Sequence, residues 1–214
     1  MSVPTPYYDD GKGIVIYLGD CREILPHLPK VDLVLTDPPY GIERFKKGFG
    51  TTRFKGHGAE KNGIEWDVKP MAEQLAIILQ CAPLSVIWGA NNFDLPTSEY
   101  FLVWDKQQTV PNFASAELAY TNIKIPAKVF RYSIHQHNQD SSHEHPTQKP
   151  IELMKWCLEF VPEAQSILDP YCGSGTTLRA AKDLGRQCIG IEVEERYCEI
   201  AARRLAQEVL PLGG

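Results

Sequence analysis

Residues 31–37 read VDLVLTD, an apolar run that closes on a carboxylate, and Pro38, Pro39 and Tyr40 follow at once. Taken alone, Asp-Pro-Pro is also a rigid turn out of a strand. The residue types permit a sharper chemistry. The exocyclic amino group of adenine or cytosine is a poor nucleophile because its lone pair is delocalised into the ring, and two acceptors that hold both hydrogens out of plane would activate it. Asp37 offers a carboxylate oxygen and Pro38 a backbone carbonyl, while the prolines at 38 and 39 remove N–H donors that would compete for the lone pair. Tyr40 adds a flat face on which an extruded base can stack.

A second constellation lies in residues 165–192, QSILDPYCGSGTTLRAAKDLGRQCIGIE. A short strand over 166–168 closes at Asp169, Gly173 and Gly175 flank a tight turn, and Thr176 or Thr177 is expected to cap the following helix. Gly185 ends that helix, and a further strand over 188–191 carries Glu192 at its tip. In such a βαβ unit the ligand lies at the helix N-terminus, and Glu192 can accept hydrogen bonds from both hydroxyls of a ribose. Leu178 stands where a G-x-G-x-x-G dinucleotide fingerprint requires glycine, and G-x-x-x-x-G-K-[ST] is absent, so the sequence disfavours an NAD-dependent oxidoreductase and a P-loop. Asp169 would repel a pyrophosphate. A nucleoside with cationic groups, S-adenosylmethionine, suits that field; a purely structural glycine turn is the competing explanation.

The elements that must position these residues are visible as alternation. Apolar runs at 14–18, 31–36, 85–88, 100–104, 117–120, 128–132, 166–168 and 188–191 suit strands covered on both faces. Helical patterns at 71–80, 151–160, 177–184 and 194–209 fall between several of them. The alternation predicts a doubly wound, mostly parallel α/β sheet, with ligands beyond the carboxyl ends of the strands. With 214 residues, no repeat and no linker, the chain reads as one domain over 1–214.

TDPPY at 36–40 together with DPYCGSGTT at 169–177 resembles the amino-group DNA methyltransferases, and the order of the two motifs resembles their circularly permuted β class. That class includes enzymes of restriction–modification systems and solitary bacterial or phage methylases. HPTQKP at 145–150, GDC at 19–21, WDK at 104–106 and PNF at 111–113 add to the likeness, which runs from residue 14 to about 209. The resemblance implies a Rossmann-like fold with the catalytic half preceding the cofactor half. Asp37, Pro38, Pro39 and Tyr40 would be catalytic. Asp37 would also line the cofactor together with Asp169, Tyr171, Cys172, Gly173, Ser174, Gly175, Thr176 and Thr177, and Glu192 would hold the ribose. Asp20, beside Cys21, would accept from the cofactor's adenine amino group, and Thr147 and Lys149 would meet its carboxylate. Two structural alternatives accompany these roles: Asp20 as the cap of a short helix, and Pro150 as a helix start.

Net charge is −5, which taken overall argues against a nucleic-acid partner, but the distribution is uneven. Residues 44–61 carry Arg44, Lys46, Lys47, Arg53, Lys55 and Lys61 against Glu60 alone. This basic segment, inside a glycine- and phenylalanine-rich loop at 41–63, is the candidate contact to a double-stranded DNA backbone; a solvated charged loop is the plainer reading. A short stretch at about 121–144 occupies the family's place for target recognition, and a homodimer or a helper protein would supply further hold on a duplex. The six cysteines form no C-x-x-C pair and read as reduced interior residues. His135, His137, His143 and His145 lack ligand spacing, so no metal is expected. No signal peptide or membrane-length apolar run is present, and a cytoplasmic protein of a prokaryotic cell or phage-infected host is the expectation. The expected activity is site-specific methylation of adenine N6 in DNA, because Asp rather than Ser precedes Pro-Pro-Tyr. N4-cytosine methylation and a non-catalytic nucleic-acid-binding module are the alternatives.

Overall fold

The computed structural model describes residues 4–41, 69–108, 113–134 and 148–207. Its strands are β1 (Tyr8–Asp9), β2 (Ile14–Leu18), β3 (Leu33–Thr36), β4 (Leu84–Trp88), β5 (Phe101–Asp105), β6 (Ala116–Thr121), β7 (Lys128–Arg131), β8 (Ser166–Asp169) and β9 (Gln187–Glu192). The helices are α1 (Cys21–Ile24), α2 (Ala72–Leu79), α3 (Ile151–Glu159), α4 (Thr176–Asp183) and α5 (Glu195–Ala206). Among the described residues the strands form one sheet in the order β1-β2-β9-β8-β3-β4-β6-β5-β7. From β2 through β9, β8 and β3 to β4 all pairings are parallel. β6 runs antiparallel to β4 and β5, and β7 returns parallel to β5.

Every residue of β3 is buried because its alternate side chains feed two cores. Leu33 and Leu35 pack with α3, α4 and α5 on one face, whereas Val34 packs with α1 and α2 on the other. Fully burying aliphatic side chains of this size contributes roughly 1.5–3 kcal/mol each, so a four-residue strand suffices to anchor the end that carries Asp37. β8 leads through α4 to its neighbour β9, while β3 leads through α2 to its neighbour β4 on the opposite side. The direction of winding therefore reverses between β8 and β3. That boundary is the switch point, where the carboxyl ends of the strands open a crevice.

Coverage on both faces holds for β3, β4 and β8 but fails at the far end of the sheet. Phe101, Leu118 and Val129 are exposed on one face of β5, β6 and β7. The antiparallel pairing explains this, since such strands tolerate one solvated face. Within the 121–144 stretch, residues 128–131 are the edge strand β7, and residues 135–147, which include the four histidines, lie outside the described set. Among the described residues no helix is long and apolar enough to cross a membrane, and no group of His, Cys, Asp and Glu is arranged to hold a metal ion.

Candidate active site

β3 delivers Thr36 and Asp37, and β8 delivers Asp169, to the two sides of the switch point. The Thr36 hydroxyl, fully buried, donates to Asp169 Oδ1 at 2.6 Å and ties the two strand ends together. Asp169 is itself buried and also accepts from the Tyr171 backbone N–H at 3.1 Å and from the Thr177 side chain. Burial pushes its pKa up to about 6 even though these hydrogen bonds pull the other way.

The glycine turn over 173–175 differs from the expectation at its helix. Neither Thr176 nor Thr177 caps α4; Gly175 does, with a left-handed φ of +80° and no side-chain cap. A Cβ at Gly175 would meet Ala201 Cβ at 2.8 Å, so glycine is required both by the backbone and by the close approach of α5. Thr176 and Thr177 are buried, and the Thr177 hydroxyl is spent on Asp169. Cys172 is buried, its N–H donating to Ile191 O at 2.9 Å, and the Ser174 hydroxyl donates to Gln148 Oε1 at 3.1 Å.

Glu192 closes the far side of this turn. Its Oε2 accepts from Gly173 N and its Oε1 from Glu194 N, both at 2.9 Å, and burial raises its pKa despite them. The Val193 backbone N–H also donates to this carboxylate, which keeps capacity for one further hydroxyl donor. Gly19 N donates to Glu192 O at 2.9 Å, which brings the end of β2 alongside. There Asp20 caps α1, accepting from Arg22 N at 2.8 Å, and pairs with the Arg22 guanidinium at 2.5 Å. Buried Cys21 takes a hydrogen bond from Gln74 Nε2 at 3.2 Å.

On the β3 side a charged cluster surrounds Asp37. Tyr40 Oη donates to Asp37 Oδ1 at 2.5 Å, and Lys149 Nζ donates to Asp37 Oδ2 at 2.6 Å. Lys149, 5% exposed, also pairs with Glu117 Oε2 at 2.8 Å, and the second Glu117 oxygen pairs with Lys106 Nζ. Burial pushes the Asp37 carboxyl above its ordinary range; Lys149 opposes the rise and Glu117 adds to it. At Glu117 burial acts in the same sense but is outweighed by Lys149 and Lys106, which hold its pKa down to about 2. Lys149 stays charged, since its two carboxylate partners overcome burial and raise it well above the usual lysine value. Pro38 is buried, Pro39 and Tyr40 are half-buried, and Tyr40 meets Phe93 edge-on with ring centroids 5.9 Å apart. Gly89 makes room for Tyr40: at φ +74° a Cβ there would lie 2.1 Å from Tyr40 Cε1.

The structure thus brings together Asp37, Tyr40 and Lys149 on one side of the switch point, and Asp169, the glycine turn, Glu192 and Asp20 on the other. Lys149, for which the family resemblance implies a contact to the cofactor's carboxylate, here reaches Asp37 and Glu117. Thr147 and the basic residues Arg44, Lys46, Lys47, Arg53 and Lys55 lie outside the described residues. Sequence reasoning missed Glu117, Lys106 and Gly89. A signal for Glu117 was present: it alternates with Ala119 and Thr121, both fully buried on β6, so an acid stands on the inward face of a strand.

Comparison with known proteins gives the family and the fold. The DNA methylase family model matches residues 91–203, more than half of the chain. The DNA adenine methyltransferase YhdJ of Escherichia coli is 37% identical, the match covering 94% of this chain and 85% of that one. The type II methyltransferase M2.MboI of Moraxella bovis is 28% identical over 97% of this chain and 93% of its own length. The alignment with M2.MboI takes 261 positions against a chain of 214 residues, so that relative carries insertions absent here. In fold, the cytosine-N4-specific PvuII DNA methyltransferase superposes with TM-score 0.58 at 17% identity, over 92% of this chain and 88% of its own. M1.HpyAVI superposes with TM-score 0.57 at 23% identity, over 90% of this chain and 98% of its own. A carboxylate held in a desolvated charge cluster beside an acid-lined glycine turn is thus accompanied by likeness along nearly the whole sequence, and the chain belongs to the DNA methylase family.

Proposed function

We propose that this DNA methylase transfers a methyl group from S-adenosylmethionine to the N6 amino group of an adenine extruded from duplex DNA. The observation that carries the reading is Asp37: a half-buried carboxylate directly after β3 at the switch point, beside the strand that bears the glycine turn. The residues present fit the cofactor. Asp169 and Glu192 make the cofactor side acidic, which suits a sulfonium and an ammonium, and Glu192 keeps acceptor capacity for a ribose hydroxyl, while the Asp20 charge is met by Arg22. When bound, S-adenosylmethionine supplies an electrophilic methyl group.

The chain's own residues do the rest. Asp37 and the Pro38 carbonyl accept the two amino hydrogens, turn the nitrogen lone pair out of the ring plane and stabilise the charge that grows there. The upward-shifted Asp37 is also a better acceptor for the proton that the methylated nitrogen sheds. Tyr40, with its ring fixed by Phe93 and the space at Gly89, supplies the stacking face. The full-length likeness to YhdJ favours adenine, and the fold likeness to the PvuII enzyme keeps N4-cytosine as the second reading.

Incubation with labelled S-adenosylmethionine and mixed-sequence duplex, followed by digestion to nucleosides, separates the cases. N6-methyladenine is expected; N4-methylcytosine would transfer the assignment to the second reading, and no labelled nucleoside would reject both. Glu192→Ala should weaken S-adenosylmethionine binding by about tenfold, the loss of roughly 1.4 kcal/mol expected for hydrogen bonds to a charged acceptor, as measured by calorimetric titration. Unchanged affinity would move the ribose elsewhere. The segment with Arg44, Lys46, Lys47, Arg53 and Lys55 would supply phosphate contacts. Neutralising Lys46, Lys47, Arg53 and Lys55 together should flatten the salt dependence of DNA binding, and an unaltered slope would return them to the solvated surface.

A further inference from the structure

We infer that Glu117, on the inward face of β6, is a positioning residue for methyl transfer: through Lys149 it releases the Asp37 oxygen that must receive the amino group, and it cancels the ammonium charge beside the nitrogen being methylated. The inference rests on the reading of Asp37 as amino-group acceptor. Both Asp37 oxygens are already engaged, Oδ1 by Tyr40 at 2.5 Å and Oδ2 by Lys149 at 2.6 Å. Each oxygen keeps a lone pair, but the two donors crowd it and draw off its charge, so Asp37 grips a base better when one of them turns aside. Lys149 is too buried to turn into water, and a buried ammonium stripped of its partner is costly. Glu117 Oε2, at 2.8 Å from Lys149 Nζ and 3.3 Å from Tyr40 Oη, is the partner to which both donors can turn.

Glu117 is itself fixed from behind. Lys106 pairs with its other oxygen and lies over the Trp104 ring at 5.0 Å, and Trp104 is buried in β5. The cluster holds two carboxylates, Asp37 and Glu117, and two ammonium groups, Lys106 and Lys149. Without the Glu117 charge it would carry one net positive charge where the amino nitrogen becomes cationic, and a fixed charge of the wrong sign in a desolvated site opposes that transition state.

The test is a charge-balance series in the full chain. Glu117→Gln keeps the shape and removes the charge; kcat should fall on the order of tenfold or more, with KM for DNA and for S-adenosylmethionine changed by less than about threefold. Glu117→Asp should recover part of kcat. Adding Lys106→Met to Glu117→Gln restores neutrality and should raise kcat above that of the single variant, a rescue that a merely structural role would not give. Normal kcat in Glu117→Gln, or a loss that the double variant leaves unrelieved, overturns the inference. If Glu117→Gln does not fold, the Asp variant and the double variant decide in the same terms. Near-normal activity of Asp37→Ala would instead bring down the reading of Asp37 beneath it. An inactive Asp37→Ala beside a fully active Glu117→Gln would reject Glu117 alone.

Discussion

Replacing Asp37 with alanine will abolish methyl transfer, lowering kcat on the order of a thousandfold or more, while S-adenosylmethionine still binds within a few-fold of its original affinity. The size follows from the two tasks proposed for one carboxylate, fixing the amino hydrogens and stabilising the charge that develops on nitrogen in a water-poor site. Separation of the two effects follows from the fold. Asp37 directly follows β3, whereas the glycine turn joins β8 to α4 and Glu192 ends β9. The variant should also fold, because Lys149 keeps Glu117 at 2.8 Å when Asp37 is removed. Single-turnover assays with separately titrated cofactor measure both quantities. Activity near the original level would take Asp37 out of the reaction, and a parallel collapse of cofactor binding would show that it serves the cofactor.

Lys149→Met should produce the largest loss of stability. The substitution keeps an apolar stem of similar length but removes the ammonium between Asp37 and Glu117, leaving two desolvated carboxylates facing one another. Breaking one side of a buried ion pair costs about 3–5 kcal/mol, equivalent to a drop of roughly 10 °C in Tm for a chain of this size. The pH dependence gives a signature. In the native protein Glu117 sits at about 2, below its ordinary 4.5, so its contribution is complete above pH 4.5 and is lost as pH falls toward 2. In the variant, burial and mutual repulsion raise the folded-state carboxylate pKa values, so the sign reverses. The deficit should shrink as pH falls from 7 to 5, because protonation removes the repulsion. Denaturant melts at the two pH values measure this; a pH-independent deficit would reduce the lysine to a packing role.

The sequence was most legible where backbone chemistry dominates. Short apolar runs ending in Asp37, Asp169 and Glu192 identified three strand ends of the crevice, because a buried strand and a polar tip leave the same mark in any setting. The capping of α4 was misjudged, since threonine usually caps helices and only the packing of Ala201 against Gly175 shows why glycine does so here. Lys149 was visible in its motif, but its partners were not. Glu117 is 32 residues before it in the chain, on a strand two removed from β3 in the sheet. Long-range pairing of this kind depends on strand order, which local periodicity does not encode.

The single hydroxyl of Thr36 has a wider implication. It precedes Asp37 in the chain and holds Asp169 on the adjoining strand, so in the proposed reaction the jaw that grasps the acceptor and the jaw that presents the donor would share one rivet. Loops at the rim can lengthen, shrink or change their reading of DNA while the gap across which a methyl must jump stays constant. A scaffold built on that rivet can change its target without relearning its chemistry.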